Sequence, residues 1–249
     1  FVDLFKSMKN FSYYARCILI GVPLWFVVGI LLTFAPEFGR ALGMPILPSA
    51  AKAVMFTYIG LAAGDLVSGG LSQLVKSRKK VAAGFMALNA FFMALYLFHS
   101  SSSLGLFYFL SFCLGFASGY WAVFVTIAAE QFGTNLRATV ATTVPNFVRG
   151  SVVPLTLLFS SLKASCGIIP AASIIAVGCV TVAFAALMGL EETHAKDLDY
   201  VETRSSAAAP TPSSARNAHP GPSTGARPPG YRDGLCARRA PVRATPRTR

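Results

Sequence analysis

Polar residues punctuate this chain at long intervals. Between them run six apolar stretches, at about residues 13–35, 53–75, 81–99, 106–129, 139–162 and 167–190. Each reaches the ~17–25 residues that a helix rising ~1.5 Å per residue needs to cross a ~30 Å hydrocarbon core. In lipid every backbone amide must be satisfied within its own segment, so consecutive stretches of this length predict helices. The expected fold is an all-α membrane protein with six transmembrane helices across 13–190. A polar segment, 1–12, leads into the bundle, and another, 191–202, leaves it.

Composition removes the soluble alternative. Apolar residues make up 54% of the chain and charged residues 13%, against about 45–50% and about 25% in soluble domains. The five cysteines (Cys17, Cys113, Cys166, Cys179, Cys236) are scattered, with no CxxC or Cys/His cluster. They fit helix packing rather than a disulfide or a metal. The chain opens on Phe1 with neither an initiator Met nor a signal-peptide pattern, and is expected to be a fragment of something longer.

The net charge of +12 is unevenly spread. Residues 203–249 hold nine Arg, no Lys and one acid, Asp233, a surplus of eight that leaves four for the rest of the chain. Rich in Pro, Ala, Ser and Gly, this tail cannot bury enough apolar surface to offset its ordering entropy, and reads as disordered and without specific function. It also resembles translation of a GC-rich stretch outside its natural frame. Tyr231 is its only aromatic, so it offers no specific nucleic-acid site; weak attraction to an anionic membrane surface is the alternative.

Within the bundle, charge sets orientation. With a cytoplasmic N-terminus, Lys6, Lys9, Arg16, Lys76, Arg78, Lys79, Lys80 and Arg137 lie inside, eight cations against three outside, Arg40, Lys52 and Lys163. Positive loops stay in the cytoplasm. Both termini are therefore expected there, with the chain multi-pass in the cell's inner or plasma membrane.

Two cytoplasmic segments carry more than hydropathy: GDLVSGGLSQLVKSRKK (Gly64–Lys80) after the second stretch and AEQFGTNLRAT (Ala129–Thr139) after the fourth. Together they resemble the major facilitator superfamily of secondary transporters. That family joins the second and third helices of each half by a loop of the form G-x3-D-R-x-G-R-R/K. An acidic residue, six others and an arginine follow its fourth helix. Gly70, Arg78 and Lys79 match the first pattern, with Ser77 in place of its second glycine and Leu74 in place of its aspartate. Glu130 and Arg137 match the second, with Phe132 and Thr134 where an F-P-T-like turn is frequent. The closing EETHAKDLDYVE also looks like the end of such a transporter. The resemblance covers about residues 1–202 and corresponds to the C-terminal six-helix half of a twelve-helix bundle. It implies a missing N-terminal half, with solute held between the halves. It further implies that Glu130 pairs with Arg78 or Lys79, with Arg137 joining, to hold the cytoplasmic side shut.

Two charges lie deeper. Asp65 and Arg149 are each ten residues from the cytoplasmic end of their stretch, hence ~15 Å deep. An unpaired charge there costs at least ~2.5–3.5 kcal/mol, so such residues face an aqueous cavity or a partner. Matched depth suggests an Asp65–Arg149 pair, or joint contact with a polar solute. Asn146, three residues before Arg149, shares its helical face. Asn89 is expected to serve packing. Pro145 and Pro154 flank Arg149, and Pro23 sits midway in the first stretch, where each opens the hydrogen-bond ladder. Gly115 and Gly119 form GxxxG, and Gly64, Ser68 and Ser72 repeat small residues at the same interval, as close helix approach requires. Tyr120 and Trp121 stand beside that seam as cavity liners or anchors.

The expected function is secondary active transport of a small solute by alternating access, in the lipid bilayer, with no cofactor and with proton or ion coupling open. Arg149 suits an anionic solute; Asp65 suits a cation or proton. An enzyme is not expected. His99, His194 and His219 are dispersed, and no HExxH, Gly-x-Ser-x-Gly or paired Asp on one helix occurs. The alternative is a truncated, non-transporting membrane protein or scaffold.

Overall fold

Six helices long and apolar enough to cross a membrane form the bundle: Asn10–Leu32, Ala50–Val75, Arg78–Phe98, Leu104–Glu130, Thr134–Cys166 and Ile168–Met188. The computed structural model describes residues 8–99 and 103–192. Among them the regular structure is helical throughout, without strands. The expected 203–249 tail, most of the 1–12 and 191–202 segments, and Lys6 lie outside the described residues.

Three spans are interrupted, and each interruption has a sequence signature. The first is α1 (Met8–Phe26) running into a π-helical turn, Val27–Leu32. Thr33 Oγ1 donates to Val28 O at 3.0 Å, a bond reaching back five residues as the wider turn allows. The second span is α3 (Ala50–Val75), after a short helix α2 (Ala35–Ala41) that has Pro36 in its first turn and is followed by Gly43 at φ 72°. The third is α4 (Arg78–Phe98). The fourth divides at Gly119–Tyr120 into α5 (Leu104–Ser118) and α6 (Trp121–Glu130). The fifth divides at Ser151 into α7 (Thr134–Gly150) and α8 (Val152–Cys166), where Pro154 supplies no N–H to continue the ladder. The sixth is α9 (Ile168–Met188).

Two expected boundaries move. The fifth span starts at Thr134 rather than about 139, which puts Arg137 in its first turn instead of a loop. The first ends at Leu32, and the residues after it fold back as α2, whose Phe38 is buried against Tyr96 and Phe159. A hydropathy count cannot see such an interfacial helix, because its apolar side chain merges with the preceding run.

Small residues set the closest crossing. A Cβ on Gly115 would lie 2.0 Å from Thr57 O, and one on Gly60 2.1 Å from Phe112 O. Ser68 Oγ donates to Gly119 O across the same seam, and Thr57 Oγ1 to Ser111 O at 2.8 Å. The glycine repeats therefore bring the α3 and α5 backbones into contact, as their spacing predicts. Gly21 and Gly29 of the first span instead make room for the side chains of Val148 and Val152 of the fifth. Asn89 Nδ2 donates to Ser118 Oγ at 2.7 Å, a buried interhelical bond in keeping with its expected packing role.

The buried side chains separate into two blocks. One runs from Tyr14 to Leu24 in the first span and includes Phe85, Tyr120, Phe124, Val148 and Ala183. The other begins at Phe26 and includes Met93, Phe107, Leu114, Phe159 and Cys179. The boundary between them passes Trp25, the Gly119–Tyr120 break and the Arg149–Ser151 break.

Candidate functional site

Arg149 occupies the last turn of α7, exposed on the flank of the bundle near the middle of its span. Its guanidinium carbon lies 5.6 Å from the Trp25 ring centroid and 5.9 Å from that of Trp121. The two indoles meet edge-on, 6.3 Å apart. Both rings thus present negative π density to one cation. Arg149 Nη1 donates to Asn146 Oδ1 at 3.2 Å, and Asn146 Nδ2 donates to Thr142 O at 3.0 Å, which fixes the amide's orientation. Spans one, four and five therefore meet at a cation held by an amide and two aromatic faces.

Asp65 reaches the same neighbourhood by another route. It is half-buried on α3, and its Oδ1 accepts from the backbone N–H of Ala122 at 3.1 Å. That N–H belongs to the first turn of α6 and has no partner within its own helix. Asp65 thus caps the half-helix and sets its charge against the positive end of the α6 dipole. The expected Asp65–Arg149 pair is not formed. Among the described residues the ion pairs are Arg78–Glu130 and Lys163–Glu37. Matched depth did not bring the two together: the Asp65 carboxylate turns to Ala122 N, and the Arg149 guanidinium to Asn146 and the two indoles.

The second cluster closes one end of the bundle. Arg78 Nη2 and Glu130 Oε1 are 2.9 Å apart, with Glu130 buried. Lys79 departs from the expected alternative: its Nζ donates to Leu190 O at 2.5 Å and Met188 O at 3.4 Å. Ser77 Oγ donates to Glu192 Oε2, and Arg78 N donates to Glu192 Oε1 at 3.0 Å. Gln131 Nε2 donates to Glu191 O at 2.8 Å, and Arg16 Nη1 to Gly189 O at 2.5 Å. Both ends of the six-span unit therefore meet the 76–80 turn and the 130–137 turn on one face. Arg137 lies at that face, half-buried in the first turn of α7. Gly70 is exposed, and a Cβ there would meet nothing within 4 Å, so no close approach inside this unit calls for it.

No protein-family model and no curated protein matches the chain. The site must be read from its own geometry.

Trp25 was not foreseen as a site residue. A signal was present: tryptophans of membrane helices collect at the two interfaces, whereas both of this chain's tryptophans sit in mid-span. Gln131, Ser77, Glu191 and Glu192 were also missed, because their roles depend on where the last span ends. Among the described residues no three His, Cys, Asp or Glu side chains gather as a metal site would require. Cys17, Cys113 and Cys179 are buried and free, and Cys166 is exposed and free.

Proposed function

We propose that this chain is one six-helix half of a secondary transporter of the major facilitator type, carrying a small solute by alternating access. One observation carries the reading. The fifth span is the least apolar and least buried of the six, and the exposed side of its first half, α7, carries polar groups where lipid would demand hydrocarbon, whereas α8 exposes Val153, Leu157 and Leu158. Only 11% of its central residues are buried, and 22% in the second span, against at least 44% in the other four. Its inward face is Leu136, Val140, Val144 and Val148; Thr142, Asn146 and Arg149 lie on the exposed side. A cation turned toward acyl chains costs several kcal/mol. This face is better suited to a water-filled path against a second six-helix half.

The broken helices support the same reading. Solute sites of secondary transporters lie near the midplane at discontinuous helices, where unwound backbone and half-helix ends are available. Here the breaks of spans four and five and the π-turn of span one fall at the level where the core divides. A bundle packed as two blocks can pivot there, provided its ends hold. The Arg78–Glu130 pair and its neighbours form such a latch at the end that carries the cationic surplus, which the charge bias assigns to the cytoplasm.

The test is flux. Proteoliposomes containing the full chain, at a density that lets a second copy stand as the facing half, should accumulate members of a panel of labelled carboxylates, sugars and amines faster than protein-free liposomes, with and without a pH gradient. Glu130→Gln keeps a hydrogen-bond acceptor for Arg78 but removes the charge, and should slow that flux severalfold with the bundle still folded. Equal flux in protein-free liposomes across the panel would defeat the proposal, and unchanged flux in Glu130→Gln would remove the latch.

A further inference from the structure

We infer that the Arg149 cluster is a binding site for a small organic monocarboxylate; this rests on the transporter reading and names its solute. The argument begins with what Arg149 lacks. Among the described residues it has no carboxylate within ion-pair distance, and its partners are an amide oxygen and two ring faces. A guanidinium offers five N–H donors in one plane. Cation–π contacts use the faces of that plane and leave its edge to hydrogen-bond an acceptor. Asn146 accepts from Nη1 alone. The rest of the edge meets no acceptor among the described residues, and the residue is exposed. A carboxylate is the ligand whose two oxygens match such an edge in parallel.

Charge counting selects a monoanion. Asp65, bonded one peptide from Trp121, has its charge already set against the α6 N-terminus through Ala122. Among the described residues no Lys or second Arg makes a cation–π contact with Trp25 or Trp121 or a hydrogen bond to Asn146. One cation balances one negative charge, whereas a phosphate dianion would leave an uncompensated charge at mid-span. The indole N–H of Trp25 adds a second observation: Nε1 is buried with no hydrogen-bond partner. It is a spare donor on the ring that packs against the guanidinium. A second acceptor there, such as a hydroxyl or keto oxygen next to the carboxylate, would satisfy it.

The chain supplies its own reporter. It has two tryptophans, Trp25 and Trp121, and both touch Arg149. Intrinsic tryptophan fluorescence of the full chain in detergent therefore reads this site alone. Sodium lactate, sodium propionate, propionamide, propylammonium and methyl phosphate are titrated at constant ionic strength. Lactate and propionate should give a saturable change, lactate the tighter. Propionamide and propylammonium should give none. Arg149→Ala should weaken lactate at least about tenfold, the loss expected for a charged hydrogen bond. Arg149→Lys, which keeps the charge without the fork, should fall between. Far-UV circular dichroism checks that each variant is folded, and Asn146→Ala, weakening lactate by a smaller factor, stands in if Arg149→Ala is not. A saturable response to propionamide equal to that of propionate overturns the inference, as does tighter binding of methyl phosphate or the absence of any response to lactate. Flux of an amine or sugar without a carboxylate response would sink this assignment and leave the transporter reading. Carboxylate binding without any flux would do the reverse.

Discussion

Asp65 shows how a single side chain can be found for the right reason and given the wrong partner. Its depth follows from residue count, and a charge at that depth must be answered. Residue count does not give azimuth, however, and the carboxylate turns toward Ala122 N rather than Arg149. Which backbone N–H groups stand free depends on the break at Gly119–Tyr120, which no spacing announces. The Glu130–Arg78 pair was implied by the resemblance of the two turns to a family pattern, which left Arg78 and Lys79 as alternatives; Arg78 is the partner formed. Asp65→Ala removes a cap from α6 and should lower stability by about 1 kcal/mol, within the range for lost helix caps. Asp65→Asn retains an acceptor and should recover most of it. Thermal unfolding in detergent, followed by circular dichroism, measures both. An Asp65→Ala protein as stable as wild type would deny the capping role.

The elements divide between those that the apolar periodicity defined and those it blurred. Six spans were visible because length and hydropathy act together over twenty residues. The breaks were visible only as Pro and Gly, which mark where a helix can yield without saying whether it does: Pro154 lies beside a break, yet Pro145 sits inside the continuous helix α7. The α3–α5 seam tests how far the small-residue spacing can be trusted. Gly115→Ala drives a methyl to within 2.0 Å of Thr57 O. It should destabilise the bundle by roughly 1–3 kcal/mol, as overpacking does. Gly84, in α4, has nothing within 4 Å of a Cβ, so Gly84→Ala should be neutral or raise stability by up to about 1 kcal/mol through helix propensity. The opposite order of unfolding temperatures would show that the seam does not hold the bundle.

For the molecule as a whole, orientation is the property on which the latch depends. The structure places both ends of the six-span unit on one face, but the side of the membrane rests on eight cations against three. Native cysteines provide the measurement. Cys166 is exposed at the opposite end from the Arg78–Glu130 latch, next to Gly167 between α8 and α9, while Cys17, Cys113 and Cys179 are buried. In a Cys236→Ser background, which removes the tail thiol, a membrane-impermeant maleimide applied to intact cells should label Cys166, and Cys166→Ser should abolish the signal. Labelling only after lysis would reverse the topology and move the latch outside.

The π-helical turn at Val27–Leu32 gives the first span a register it can change. That turn holds extra chain compared with ordinary winding, and each α-helical residue corresponds to about 100° of rotation. Tyr96 Oη fixes the far side of the turn by donating to Leu31 O at 2.8 Å. If the surplus migrated along the span toward the N-terminus, the short piece bearing Trp25 would revolve like a screw while that anchored end stayed in place. One indole would leave the guanidinium, and the pocket would lose a wall without any helix crossing its neighbour.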